Sequence, residues 1–193
     1  MRVAPSPGEV APAIQRQLVR GWFLITLRGL VAVAFSLLFV LEAHEGLAVY
    51  AFTAAAYCVC DGCVTLPAAL QRAAPGGRLW LFGADALVSF IAALAILTLP
   101  ELTPRLLVMI IALRAAIGGI VLFITAIRLA SHTAQLWMVL AGLASIGFAV
   151  VCFVVPFAVA AQIARSFTVY MFIRGSLLLG LGWTLRPNGR AVA

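Results

Sequence analysis

Long apolar runs separated by short polar breaks dominate the chain. Six of these runs are long enough to cross a bilayer core about 30 Å thick, which takes about 20 helical residues. The breaks between them contain charged residues, Gln or Pro, and the shortest is a turn at Pro156. The pattern therefore predicts six transmembrane helices, at residues 22–41, 47–70, 79–99, 105–127, 136–155 and 158–183.

The composition indicates that the solvent of these helices is lipid. Of the 193 residues 65% are apolar and only 10% are charged, whereas soluble domains carry about 25% charged residues. Thirteen basic residues, all of them Arg, stand against six acids and give a net charge of +7. In a membrane protein such an excess is typical of cytoplasmic loops, so we expect the lipid bilayer, and not nucleic acid, as partner.

The distribution of Arg predicts the orientation of the chain. Eight Arg lie in the two tails and in the loops of one face, and Arg105 alone lies on the other face. Because loops rich in Arg stay cytoplasmic, we expect both termini on the cytoplasmic side. The membrane domain then covers residues 19–186, between a disordered or interfacial tail at 1–18 and a short tail at 187–193.

A repeat of about 57 residues runs through the six spans. A Trp begins each odd span and a Gly lies inside each even span; they are Trp22, Trp80 and Trp137, and Gly62, Gly118 and Gly175. Since each unit crosses the membrane twice, its copies share one orientation. We therefore predict an all-α bundle of three repeated helical hairpins in a pseudo-threefold arrangement, with hairpins at about 20–75, 76–132 and 133–186.

The repeat unit also has a Pro at the outer end of the odd span, at Pro100 and Pro156, and an Arg behind the Gly of the even span. With these features the chain resembles the HdeD family of small bacterial acid-resistance membrane proteins, over roughly residues 20–186. The resemblance implies a six-span inner-membrane protein linked to acid or envelope stress. It offers no catalytic residues to carry across.

Charged residues inside the spans break the apolar pattern. A central Arg or Asp costs about 2.5–3.5 kcal/mol on the insertion scale, so such residues are usually paired or line a cavity. Counted at 1.5 Å per residue, two of them lie about 8–9 Å inside the cytoplasmic boundary and three lie about 13–17 Å deep, near the midplane. The shallow two are Arg28 and Asp85, the deep three are Asp61, Arg114 and Arg174, and Arg165 is a further candidate cation.

The charges also predict their partners. Arg28 and Asp85 occupy equivalent positions in the repeat and carry opposite charges, so we predict an ion pair between them. Depth allows Asp61 to pair with either Arg114 or Arg174, which leaves a surplus cation. Two interpretations stay open: the ion pairs fix the register of the hairpins, or a polar cavity admits an anion, a lipid head group or protons.

The Cys and His residues predict no metal and no cofactor. On a helix Cys58 and Cys60 point apart, only Cys60 and Cys63 share a face, and no His is near, so we interpret the three as small packing residues. His44, between two Glu of the outer loop, is a candidate for sensing acid pH. His132 lies in a loop on the opposite face.

The sequence favours a function without catalysis, because we find no nucleophile elbow, zinc-protease motif or phosphate-binding loop in it. The leading hypothesis is an HdeD-like protein that supports stress resistance through helix contacts, as a homo-oligomer or with another membrane protein. The alternative is a small transporter or channel for an anion or protons, with a polar site at the bilayer midplane. A dry, closed bundle favours the first hypothesis, and a water-filled path favours the second.

Overall fold

The computed structural model describes residues 21–42, 46–71, 80–98, 103–127, 132–154 and 160–186, and this part of the chain is helical with no strand. The helices are α1 (Trp22–Leu41), α2 (Leu47–Gln71), α3 (Trp80–Thr98), α4 (Pro104–Ala126), α5 (His132–Val154) and α6 (Ala160–Leu185). All six are long and apolar enough to cross a membrane, which confirms the predicted all-α, six-span fold. The predictions for the tails 1–18 and 187–193 and for His44 lie outside the described residues.

The helix bounds follow the apolar runs closely and depart from them most at the start of α5. Helix α1 has the predicted bounds, but α5 begins at His132, ahead of the predicted residue 136. His132 is therefore a helical residue, and its assignment to a loop was wrong. Hydropathy marks only the segment that lies in lipid, whereas the backbone hydrogen bonds of a helix continue through polar residues such as Thr133 and Gln135.

The start of α4 shows why a helix begins at that point of the chain. The side-chain oxygen of Thr103 accepts a hydrogen bond from the backbone N–H of Leu106 at 3.3 Å, which satisfies a donor that the helix itself cannot pair. Pro104 follows in the first turn, where its missing N–H costs nothing and its fixed φ suits the helix. The loop therefore ends at Thr103.

The six helices form a closed ring. Each helix contacts the next one along the chain, and α6 returns to contact α1. The most extensive contacts join consecutive hairpins, namely α2 with α3, α4 with α5, and α6 with α1, while the two helices within a hairpin contact each other less. This alternation occurs three times around the ring, as expected for three hairpins in a pseudo-threefold arrangement.

Glycines bring the helices close together in two of the three extensive contacts. A Cβ at Gly29 in α1 would lie 2.9 Å from the carbonyl oxygen of Gly175 in α6, and one at Gly119 in α4 would lie 2.9 Å from that of Gly142 in α5. Close backbone approach of this kind drives helix packing in lipid, where apolar side chains gain little from contacting each other. Ser176 is exposed, because Gly175 one position earlier faces α1.

Two apolar clusters fill the two ends of the ring. One contains aromatic side chains, including Phe39 and Phe167, and the other contains long aliphatic ones, including Leu122, Met138 and Leu178. On α1, α2, α3 and α6 a charged residue lies between the segment that joins the first cluster and the segment that joins the second, and on α4 Arg114 lies at the end of the segment that joins the first. The ring therefore holds one polar layer with apolar packing above and below it.

Candidate functional site

The polar layer contains all five charged residues predicted inside the spans, and we call it the charge cluster: Arg28, Asp61, Asp85, Arg114 and Arg174. Each side chain comes from a different helix, and only α5 contributes none. The most exposed of the five, Arg28, has 6% of its surface accessible, and Asp61 and Arg174 have 0%. Asp61 and both deep Arg residues, Arg114 and Arg174, therefore face the interior of the ring.

Arg28 joins the two carboxylates of the charge cluster. Its Nε donates to Oδ1 of Asp61 at 2.6 Å and its Nη2 donates to Oδ2 of the same carboxylate at 2.8 Å. The same Nη2 also donates to Oδ2 of Asp85 at 2.6 Å, which confirms the predicted ion pair between Arg28 and Asp85. The bidentate bond to Asp61 was not predicted, and this geometry is the strongest that a guanidinium offers a carboxylate.

Arg114 is the second partner of Asp61. Its Nη2 donates to Oδ2 of Asp61 and, at 2.8 Å, to the hydroxyl oxygen of Ser89. The Ser89 hydroxyl in turn donates to the backbone carbonyl of Asp85 at 2.8 Å. The Arg114 guanidinium also lies 5.4 Å from the ring centroid of Tyr57, within the range in which an aromatic face attracts a cation. Of the two deep Arg residues, Asp61 therefore pairs with Arg114.

Arg174 is the surplus cation that the sequence predicts. Its Nη1 donates to the hydroxyl oxygens of Tyr57 at 3.1 Å and Tyr170 at 3.3 Å, and Tyr170 donates onward to Ser145 at 3.2 Å. Within the described residues it forms no ion pair, and its Nε and Nη2 have no hydrogen-bond partner. Three guanidinium groups therefore stand against two carboxylates in a layer that is closed to solvent.

An unpaired carboxylate oxygen lies beside this surplus cation. A Cβ at Gly118 would lie 3.0 Å from Oδ1 of Asp85 and 3.7 Å from Nη2 of Arg174, and neither atom has a hydrogen-bond partner among the described residues. The absence of a side chain at Gly118 therefore lets the Asp85 carboxylate lie against α4, where it and Arg174 are buried groups of opposite charge that form no ion pair with each other.

The structure corrects the predicted separation of the charges into two depths. Arg28 contacts Asp61 directly, so the shallow pair and the deep three form one layer. Counting along a helix axis locates the Cα atom, but an Arg side chain is long enough to carry its charge several ångströms away from that point. Arg165 does not join the layer, because its side chain is exposed on α6.

Four hydroxyl groups of the site were missed by the sequence analysis. They belong to Tyr57, Ser89, Ser145 and Tyr170, all of which are buried. Residues four apart are neighbours on a helix surface, and Tyr57 precedes Asp61 by four residues as Tyr170 precedes Arg174. That spacing was the available signal, since it puts each phenol on the same helix face as a buried charge.

Cys58 of α2 lies on a different face from Cys60 and Cys63, as the helical geometry predicts. Cys58 is buried, Cys60 is half-buried and Cys63 is exposed. Among the described residues no group of three or more His, Cys, Asp or Glu side chains is placed to hold a metal ion.

Fold and charge cluster together indicate a multi-pass membrane protein built from repeated hairpins. A family model described as "Short repeat of unknown function (DUF308)" matches the chain twice, at residues 27–98 and 84–154. The two matches together span 128 of the 193 residues. The chain belongs to this family, which includes HdeD-like membrane proteins.

The starts of the two family matches, residues 27 and 84, are 57 residues apart, which is the spacing of the repeat predicted from Trp and Gly. Arg28 and Asp85 are separated by the same 57 residues. No curated protein and no solved structure matches the chain.

Proposed function

We propose that the protein is a non-enzymatic bacterial inner-membrane protein of the HdeD-like type. In this proposal it supports resistance to acid or envelope stress through helix-mediated association with itself or with another membrane protein. Two findings support it: the chain belongs to a family that includes HdeD-like proteins, and its helices form a closed ring.

The observation that carries the proposal is the enclosure of the charge cluster. Its carboxylates are held by guanidinium groups at 2.6 to 2.8 Å, and apolar clusters pack on both sides of it. A transport path needs polar groups that reach water on both faces of the membrane. An enclosed layer is instead suited to hold three similar hairpins in one register, because a one-turn slip would separate the buried charges.

The orientation is part of the same proposal, with both termini in the cytoplasm. It is supported by the eight Arg residues on one face against Arg105 on the other. We expect a reporter that is active only in the cytoplasm to be active when fused to either terminus. Activity of a reporter that requires the periplasm at either position would contradict the orientation.

A small transporter or channel for an anion or protons is the second candidate, and Arg174 favours it. This guanidinium is fully buried, has no carboxylate partner among the described residues, and has two nitrogens without a hydrogen-bond partner. An Arg cannot lose its charge at accessible pH, so a buried surplus Arg attracts an anion. The unpaired Oδ1 of Asp85, which lies near the same Cβ position of Gly118 as Arg174, adds an acceptor for a proton-bearing ligand.

One experiment tests the first candidate and separates it from the second. A strain that lacks the protein should survive acid challenge less well than the parent, and the wild-type gene should restore survival. Arg174→Gln keeps a polar side chain and removes the surplus charge, so a protein with a structural role should still restore survival. If the folded Arg174→Gln protein restores nothing, the transporter is favoured; if deletion does not change survival, the stress role is wrong.

A further inference from the structure

A groove of about 480 Å³ lies between α5 and α6, outside the charge cluster. Its walls are apolar and include Phe148, Val151, Val169 and Ile173, of which the last three are exposed. The ring of Tyr170 forms part of the wall and stacks on Phe148 with 4.2 Å between the ring centroids. Since α5 and α6 are both candidate membrane spans, this groove faces the acyl chains of the bilayer.

None of the described helices of this chain fills the groove at Gly147. Gly147 lines it, and a Cβ at that position would meet no atom within 4 Å. At Gly142, five residues earlier on the same helix, a Cβ would lie 3.0 Å from the carbonyl oxygen of Gly119. One glycine of α5 therefore serves the contact with α4, and the other leaves open space on the groove.

Among the described residues that line the groove, Arg165 supplies the one charge. It precedes Arg174 by nine residues on α6, a rise of about 13.5 Å from the charge cluster, and therefore lies near the membrane boundary, where lipid phosphates are found. Ser166, Val169 and Ile173 follow it along the groove at the three- and four-residue spacings of a single helix face. A cation at the boundary and an apolar track leading inward from it have the shape and charge pattern of an anionic lipid.

We propose that this groove binds one anionic phospholipid, with the phosphate on Arg165 and one acyl chain along Val169 and Ile173. Neither the stress role nor the transporter is needed for this binding. Ile173 follows Arg165 by eight positions, a rise of about 12 Å along α6. Part of one acyl chain is long enough to cover this distance. A free phosphate would share the contact with Arg165 but would leave the apolar track unfilled.

The test uses the full-length protein in detergent and native mass spectrometry. Phosphatidylglycerol and phosphatidylcholine with identical acyl chains are the probes, and inorganic phosphate is the competitor. We expect wild-type protein to retain phosphatidylglycerol in preference to phosphatidylcholine, and phosphate to leave the bound lipid in place. Arg165→Gln should weaken phosphatidylglycerol binding about fivefold, the loss expected for one interfacial cation. Arg186→Gln, which removes an Arg outside the groove, should have no effect.

Filling the groove tests the acyl-chain part of the proposal. Gly147→Leu places a side chain in open space, so the protein should fold normally and lose both lipids. Val169→Phe, at a side chain 57% exposed, fills the groove from the other helix and should give the same result. Retention of phosphatidylglycerol by either folded variant would overturn the proposal. So would equal losses in Arg165→Gln and Arg186→Gln, or displacement of the lipid by inorganic phosphate.

Discussion

Asp61→Asn is expected to lower the stability of the protein more than any other single loss of charge. The carboxylate accepts hydrogen bonds from both Arg28 and Arg114 and is fully buried. An Asn keeps the shape but removes the negative charge, so Asp85 alone would face three guanidinium groups. Removing one partner from a buried ion pair costs about 3–5 kcal/mol. We expect a loss of that order in the free energy of unfolding and a low yield of folded protein from membranes.

The native Cys residues provide the measurement. Cys58 is buried at 1% exposure, so a dye that fluoresces on reaction with thiols reports unfolding on heating. A background with Ser in place of the less buried Cys60 and Cys63 removes early signal from those positions.

Two controls decide whether charge is the cause. Ser36→Ala removes a buried hydroxyl that donates to the backbone carbonyl of Thr168 at 3.1 Å, and should cost only about 1 kcal/mol. Adding Arg114→Gln to Asp61→Asn removes one of the cations that lost its partner, and should restore part of the stability. If Asp61→Asn melts like the wild type, or if the double variant is less stable than Asp61→Asn, the charge cluster does not stabilise the fold as we describe.

The sequence predicts the helices well because hydropathy over about 20 residues is a strong signal. The bounds of α1 were predicted to the residue, since Glu42 ends the apolar run just where the helix ends. The bounds of α5 were not, because helical hydrogen bonding continues outside the lipid through the polar segment that starts at His132. Hydropathy thus predicts which residues of a helix lie in the lipid, and only indirectly the residues at which the helix begins and ends.

The charge cluster was predicted only in part, for a different physical reason. The repeat brought Arg28 and Asp85 together, because pseudo-symmetric positions share a depth and a face. Asp61 was assigned to a deeper layer, because the prediction counted only residues along the helix axis. Its actual distance from Arg28 depends on how far a guanidinium reaches and on how the two helices are rotated. The sequence contains neither quantity. The order of the helices does not decide between Arg114 and Arg174 either, because α4 and α6 both lie two positions from α2 in the ring. That choice depends on how far each guanidinium extends toward Asp61.

The cluster also shows how a repeated scaffold accommodates charge. A threefold arrangement with the same charged residue in every copy would bring three like charges together in a layer without water, which is costly. In this chain, positions 57 residues apart carry different residues instead. One inward position is Arg28, Asp85 and Gly142 in the three copies, and another is Asp61, Gly118 and Gly175. Complementary charges and glycines in place of identical side chains allow the three hairpins to share one polar layer.

Gly119→Ala is the other substitution from which we expect a large loss of stability. The added Cβ would lie 2.9 Å from the carbonyl oxygen of Gly142 and from a side-chain carbon of Ile146, and 3.0 Å from Cβ of Ser145. A backbone carbonyl cannot move aside without shifting α5, so the contact between α4 and α5 must open. Overpacking of this kind costs about 1–3 kcal/mol, and it outweighs the gain of up to about 1 kcal/mol from replacing a helical Gly by Ala.

Gly147→Ala is the matched control, because it makes the same chemical change in a helix and adds a Cβ that meets nothing within 4 Å. It should therefore keep or raise the melting temperature, while Gly119→Ala lowers it in the same thiol-dye measurement. Gly175→Ala tests the equivalent contact of α6 with α1, where a Cβ would lie 2.9 Å from the carbonyl oxygen of Gly29. If the ring is pseudo-symmetric in its energetics as in its geometry, Gly175→Ala and Gly119→Ala should lower stability by similar amounts. Equal melting temperatures for Gly119→Ala and Gly147→Ala would mean that close backbone approach does not hold these hairpins together.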